Sequence, residues 1–107
     1  MKIRLRDHVA IHADKMAKVL LAATPRALVD LYCLAPGQAQ KPHAHADQDK
    51  LYVVLEGHGH IHLDGTEEAV APGEAVVAKA GAVHGVVNSG AEPLILLVVV
   101  TPPPPHA

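Results

Sequence analysis

The chain has 107 residues, half of them hydrophobic, and a formal net charge of −2. This length suffices for about one domain with a single core. The near-neutral charge balance gives no reason to expect nucleic acid or a membrane as a partner, because both require clustered Lys and Arg. With no Phe, no Trp and only two Tyr, the core has to be built from aliphatic residues, which favours strands.

The N-terminal segment, up to about Lys18, can be interpreted as strand, turn and strand or as a short helix capped by Asp14, and we favour the strands. Beyond it, short β-rich runs recur between turn signals, which is typical of a sandwich or barrel. Asp64-Gly65 and Pro72-Gly73 predict tight turns between antiparallel neighbours. We predict strands at 18–23, 27–35, 51–56, 58–63, 66–71, 75–79, 83–88 and 93–101.

The chain contains no internal repeat and no linker before residue 101, so residues 1–101 are predicted to form one domain. Residues 102–107, TPPPPHA from Thr101 onward, predict an extended tail in which His106 is incidental. Cys33 stands alone and is predicted to be a small buried hydrophobe. No run of about 18 apolar residues occurs, so we expect a cytoplasmic protein.

The chemistry concentrates around His43 and His45, which are two residues apart. On an extended strand both imidazoles project from the same face, where they can bind one metal ion. A third candidate, His84, lies far away in sequence, and an antiparallel barrel could bring it across to the same ion. Imidazole is the commonest neutral metal ligand at physiological pH.

The spacing around these histidines resembles the two motifs of the cupin superfamily. Gly37, His43, His45 and Gly57 fit the first motif, and Gly73, Gly81, His84 and Asn88 fit the second, with Lys79 where Pro is usual. The resemblance covers about Tyr32 to Thr101, with the motifs at 37–88, and is strongest to the small single-domain "cupin 2" branch. It implies an all-β, double-stranded β-helix (jelly-roll) barrel, a metal on His43, His45 and His84, and frequently a homodimer.

One position departs from the cupin pattern, because Lys50 stands where a Glu usually completes the metal site. Asp49 could be a ligand only if the loop at 46–50 is remodelled. Three neutral imidazoles without a carboxylate favour Fe, Ni, Cu or Zn over Mg or Ca. Lys50 is either a surface residue or binds an anionic small-molecule ligand held between its ammonium and the metal, and Tyr52 is predicted to contact the same ligand.

Three functions fit this pattern. The first is a metal-dependent enzyme, dioxygenase-like in the version we favour, acting on a small oxygenated or anionic molecule. An isomerase or decarboxylase would need a base, for which Lys50, Asp49 and Glu56 are the candidates. The second is a non-catalytic small-molecule or metal-binding module, and the third is a structural barrel whose histidines bind nothing.

The remaining histidines are predicted to be structural. His58, His60 and His62 alternate along one predicted strand, and the apolar residues between them should face inward. The outer histidines then form a polar face, a subunit contact or a second surface metal site. We expect His8, His12, Gln38 and Gln40 to be structural or rim residues. The apolar run at 94–100 exceeds what a half-buried strand needs, which supports a homodimer.

Overall fold

The computed structural model describes residues 1–104, so the end of the predicted tail with His106 lies outside the described residues. Within residues 1–104 the regular structure is almost entirely β, which confirms the predicted fold class. Two antiparallel sheets face each other as a double-stranded β-helix, with strand orders β1-β2-β9-β4-β7 and β3-β8-β5-β6. The strands are β1 Ala17–Ala23, β2 Leu28–Leu34, β3 Ala39–His43, β4 Asp49–Glu56, β5 Gly59–Leu63, β6 Thr66–Val70, β7 Ala75–Ala78, β8 His84–Val87 and β9 Leu94–Thr101.

The predicted turns form where the glycines indicated. Asp64 and Gly65, between β5 and β6, have φ of 47° and 85°, the left-handed pair that a two-residue hairpin of this twist requires. Gly73, which follows Pro72, has φ of 86°. β3 is absent from the predicted strand ranges, although His43 is expected on an extended strand. It contains Pro42 and lies at the edge of its sheet, where a proline is tolerated.

The prediction of strands before Lys18 is wrong for residues 1–16. The segment contains one short 3-10 turn at Leu5–His8 and otherwise irregular backbone, so the alternative of a helix capped by Asp14 is wrong as well. Part of the segment instead lies against the outer face of the larger sheet, where Ala10 packs against a cluster that includes buried Leu31 and Ile95. Cys33 belongs to the same cluster and is free and fully buried, as predicted.

The barrel interior is divided into an apolar half and a polar half. Side chains alternate along each strand, so β9 turns one set of residues inward and the other set outward. One half of the interior is filled by buried aliphatic residues, which include Leu34, Val54, Ile61, Val86, Leu94 and Leu96. The opposite half holds buried polar groups from β2, β4 and β8, among them Asp30, Lys50 and His84. No helix in residues 1–104 is long and apolar enough to cross a membrane.

Candidate functional site

Three histidines meet in the polar half of the barrel. His43, His45 and His84 each offer a ring nitrogen, and these nitrogens all lie within 4.8 Å of one another. The ring centroids are 4.8 Å apart for His43 and His45 and 4.5 Å apart for His43 and His84. The structure thus brings together the three histidines that the sequence spacing selected.

The backbone positions these rings through one strand pair. His43 ends β3 and is opposite His84, the first residue of β8. A β-bulge between Gln40 and His43 adds one residue to β3, and such a bulge re-aims side chains next to functional sites. It allows Gln40 and His43 to face inward although they are three residues apart. His45 lies just beyond the end of β3, so it is held by the following loop and not by a strand as expected.

The two central rings are fixed in one tautomer by backbone carbonyls. Nδ1 of His43 lies 2.9 Å from the Lys41 carbonyl oxygen, and Nδ1 of His84 lies 3.0 Å from that of Ala82. An Nδ1–H that donates to a carbonyl leaves Nε2 free as a ligand atom. Nε2 of His84 is buried and has no hydrogen-bond partner.

The electrostatics also suit metal ligation. Burial is the main factor that lowers the pKa of His84, and nearby Lys50 and the other two histidines add to it. Burial likewise lowers the pKa of His45, followed by the effect of His43. Both rings are therefore neutral near pH 7, the state that a metal ion requires. An unpartnered, buried Nε2 within a cluster of three imidazoles fits a divalent transition metal ion.

Two of the predicted acidic candidates lie elsewhere. Asp49 does not join the histidine group, because its Oδ1 accepts a hydrogen bond from the Ala80 amide at 2.8 Å. Glu56 lies on the outside of the barrel and forms an ion pair with Arg6. Neither carboxylate reaches the interior.

Lys50 points into the barrel and is only 3% exposed, so of its two predicted alternatives the surface lysine is wrong. Its Nζ lies 5.0 Å and 5.1 Å from the ring centroids of Tyr32 and Tyr52, within range of a cation–π interaction. Its one hydrogen bond among the described residues is a long one, 3.4 Å, to Oε1 of Gln40. Burial, and then the repulsion from Lys18, lower the pKa of Lys50 to about 8, although Asp30 acts in the opposite direction.

Gln40 links the lysine to both tyrosines, so it is more than the rim residue that the sequence indicated. The hydroxyl of Tyr52 donates to Oε1 of Gln40 at 3.2 Å, and Nε2 of Gln40 donates to the hydroxyl of Tyr32 at 3.3 Å. The Tyr52 ring lies 6.1 Å from that of His84. This network connects Lys50 with the histidine group.

Asp30 is a further polar residue of the interior, and sequence analysis missed it. It is 2% exposed, and its Oδ2 has no hydrogen-bond partner. Burial raises its pKa, and Lys18 and Lys50 offset part of that effect. The one signal in the sequence was an acidic residue within the apolar strand LVDLYCL.

The outer histidines do not gather into a second group of this kind within residues 1–104. His60 and His62 flank buried Ile61 on β5 and face outward, as predicted. Nδ1 of His60 lies 2.7 Å from Ser89 Oγ, and Nδ1 of His62 lies 3.1 Å from Glu67 Oε1. These two form the predicted polar outer face, whereas His58 precedes β5 and is not on the strand as predicted.

Residues 30–100 match the family model of the cupin domain, whereas no curated protein matches the chain. Among solved structures, TT1209 from Thermus thermophilus is 46% identical over 97% of this chain and 100% of its own, with a TM-score of 0.93. An uncharacterized conserved protein with a double-stranded β-helix domain from Klebsiella pneumoniae is 27% identical over 94% and 89%, with a TM-score of 0.89. An RmlC-like cupin protein from Desulfovibrio desulfuricans is 25% identical over 97% and 99%, with a TM-score of 0.87.

Proposed function

The chain belongs to the cupin domain family, and from that premise we propose that it is a metal-dependent enzyme acting on a small oxygenated anion. One divalent Fe, Ni, Cu or Zn ion would be held by His43, His45 and His84. The observation that carries the proposal is Nε2 of His84, which is buried without a partner. His84 belongs to a group of three histidines that each offer one ring nitrogen within 4.8 Å of the others. A polar atom in that position is costly unless it is bonded.

The charges of the metal ion and of Lys50 determine the role proposed for each. A bound divalent ion supplies a Lewis-acidic centre that polarises the oxygen atoms of a ligand. No protein carboxylate among residues 1–104 joins the histidines, so the ion keeps its full charge and attracts an anion. Lys50, with a pKa of about 8, is mostly protonated at pH 7 and donates a charge-assisted hydrogen bond to that anion. The Tyr52 hydroxyl lies beside it on Gln40.

The metal site is tested by elemental analysis of untagged protein. Wild-type protein should hold about one equivalent of metal, and a His43→Ala, His45→Ala double variant should hold none. A His60→Ala, His62→Ala double variant removes the same number of imidazoles from the outer face and should keep the metal. Metal that persists in the first variant, or is absent from wild type, would contradict the proposal.

The anion site is tested with zinc-loaded protein titrated with butyrate and followed by NMR. Loss of one charge-assisted hydrogen bond in Lys50→Met should weaken binding by about tenfold or more. Lys79→Met, which alters an exposed lysine, serves as the matched control and should bind as wild type does. Equal affinity of Lys50→Met and wild type would exclude Lys50 as the anion ligand.

Dioxygenase-like oxidation is the first reaction class that we propose. It is supported by the nitrogen-only ligand set and by the buried aliphatic lining of Val54, Ile61 and Val86 beyond the polar half, which excludes water from a bound enolate. Iron-loaded protein should consume oxygen in the presence of a chelating diketone such as acetylacetone. An absence of uptake with a broad panel of diketones would count against this class.

Proton transfer, as in an isomerase or decarboxylase, is the second class. Of the three predicted bases, Lys50 alone faces the interior, and a pKa of about 8 is close to that of an efficient general base. Zinc-loaded protein should exchange the C3 hydrogens of 2-oxobutyrate with deuterium oxide. Lys50→Met should abolish the exchange, and Glu56→Gln should leave it unchanged. Retention of metal and acid without any turnover would instead favour a non-catalytic binding module.

We also propose a homodimer formed through the outer face of the larger sheet. Outside the part covered by the N-terminal segment, this face carries Val29, Leu51, Val53, Val77, Leu97 and Val99. Leu51, Leu97 and Val99 are only half-buried in the single chain, and Val77 is 56% exposed. Such a contiguous apolar face is typical of an interface. A cytoplasmic location is proposed as well, supported by a sequence that depends on no internal disulfide, since Cys33 is its single cysteine.

A further inference from the structure

An acidic and a basic side chain lie near each other on the inner face of the larger sheet without touching. Asp30 on β2 is 2% exposed and Lys50 on β4 is 3% exposed. No nitrogen–oxygen contact within 4.0 Å joins them. A buried carboxylate and a buried ammonium are each costly to leave without a partner, so their separation calls for an explanation.

The strand register shows that the two groups border one space. β9 lies between β2 and β4, with Asp30 opposite Val98 and Lys50 opposite Val100. Only these two small side chains of β9 separate the charged residues along the sheet. Nζ of Lys50 reaches towards β2, because it lies 5.0 Å from the ring of Tyr32, which is the next inward residue after Asp30.

Each group retains unused hydrogen-bonding capacity in this space. Oδ2 of Asp30 has no partner. The ammonium of Lys50 has three N–H groups, and its only hydrogen bond in residues 1–104 is the long one to Gln40. One N–H can therefore donate a hydrogen bond to the anion proposed to bind at the metal, while another N–H remains for a second ligand atom.

The charges of the two groups restrict the chemistry of a ligand atom placed between them. A second carboxylate would be repelled by Asp30, and an amine would be repelled by Lys50. A hydroxyl group suits both, because it accepts a hydrogen bond from an ammonium and donates one to a carboxylate, and it would take the place that a water molecule can fill in the free protein. Lys18, exposed on β1 and 5.8 Å from the Tyr32 ring centroid, adds a positive charge near the same space, which favours entry of an acid.

We propose that the ligand of this protein is a small hydroxy acid whose hydroxyl group bridges Asp30 and Lys50. The inference rests on the proposed function, since the acid group of the same molecule would bind at the metal and Lys50. It adds Asp30 as the residue that selects for the hydroxyl group. Asp30 belongs to neither cupin motif of the sequence.

The test compares butyrate with 2-, 3- and 4-hydroxybutyrate, which share one carbon skeleton and differ in the position of the hydroxyl group. Dissociation constants are measured by NMR titration of zinc-loaded wild type, Asp30→Ala and Asp30→Asn. Wild type should bind at least one isomer about tenfold or more tightly than butyrate, as expected for a hydrogen bond to a charged group. Asp30→Ala should remove that preference and leave butyrate affinity nearly unchanged. Asp30→Asn keeps the shape of the side chain and should retain part of the preference.

The outcomes separate this inference from the proposed function. Equal binding of butyrate and all three isomers by wild type would overturn the role of Asp30 and leave the anion site intact. A preference that survives in both Asp30 variants would also overturn it, since the hydroxyl group would then be recognised elsewhere. If zinc-loaded wild type binds none of the four acids, the proposed function itself fails and this inference fails with it. A purely structural role of Asp30 would weaken all four acids alike.

Discussion

Replacing Lys50 with Met should make the metal-free protein more stable. Met has nearly the length of Lys but no charge, and the lysine lies buried between Tyr32 and Tyr52 with one long hydrogen bond. The pKa of Lys50 is lowered from 10.5 to about 8. The folded protein therefore binds the lysine proton more weakly than the unfolded chain does, and the charged amine opposes folding.

The size and the pH window of the effect follow from these two values. At about 1.4 kcal/mol per pH unit, the gap between them corresponds to a cost of about 3 kcal/mol. Below pH 8 both states carry the proton and the full cost is present. Between pH 8 and 10.5 only the unfolded chain keeps it, so the free energy of unfolding rises with pH across that window. After allowance for the lost contacts with Gln40 and the tyrosine rings, Lys50→Met should gain about 2 kcal/mol at pH 7.

Urea denaturation of chelator-treated protein, at intervals from pH 7 to pH 10, measures this difference. The wild type and the variant share all other titrating groups, so their difference reports on Lys50 together with the groups whose pKa values Lys50 shifts, which are Asp30, His45 and His84. The gain should shrink towards zero at pH 10, and Lys79→Met should show no such gain. A variant that is less stable than wild type, or a gain that does not depend on pH, would refute the reasoning.

Three further predictions concern acid stability, packing and assembly. Burial lowers the pKa of His84 in the folded protein, so as the pH falls the unfolded chain binds a proton at this side chain before the folded protein does. The free energy of unfolding of the metal-free protein should therefore decrease below pH 6.5. Urea denaturation that gives the same value at every pH below 6.5 would contradict this. Gly57→Ala should lower the melting temperature more than Gly65→Ala does. Both glycines have positive φ, but only at Gly57 would a Cβ overlap the Pro93 carbonyl oxygen, which adds a cost of about 1–3 kcal/mol. Equal losses of melting temperature would argue against this overlap. Wild type should be a dimer in light scattering and Leu97→Lys a monomer, whereas Val83→Lys should stay dimeric; a monomeric wild type would exclude the interface.

Much of the fold could be predicted because its local signals agree with its tertiary structure. Turns such as Asp64-Gly65 need positive φ and therefore contain residues such as Gly and Asp that can be recognised in the sequence. The N-terminal segment does not form the predicted strands for a physical reason. Leu5 and Ala10 lie against the outer face around Leu31 and Ile95, whereas Val9 and Ile11 are exposed, and such partial burial needs no strand partner. The larger sheet already ends at β1, and this segment does not extend it.

The histidine group could be selected from sequence because its spacing is a motif, but its polar surroundings could not. Gln40 faces inward only because the bulge in β3 shifts the alternation. Asp30 lies close to Lys50 only because β2 and β4 pair with opposite edges of β9. Neither a bulge nor a register across three strands leaves a local signal in a single sequence.

The buried charges support function more strongly than they support stability. This core contains no Phe or Trp and depends on aliphatic residues, so a cost of about 3 kcal/mol at Lys50 is a large fraction of the 5–15 kcal/mol typical of a domain. Asp30 adds a second cost, since its Oδ2 is buried without a partner. Apolar residues of similar size would remove both costs without altering the strand pairing. Positions that lower stability while facing a group of potential metal ligands are typical of functional sites. If Lys50→Met stabilises the protein and also abolishes acid binding, the same side chain accounts for both effects.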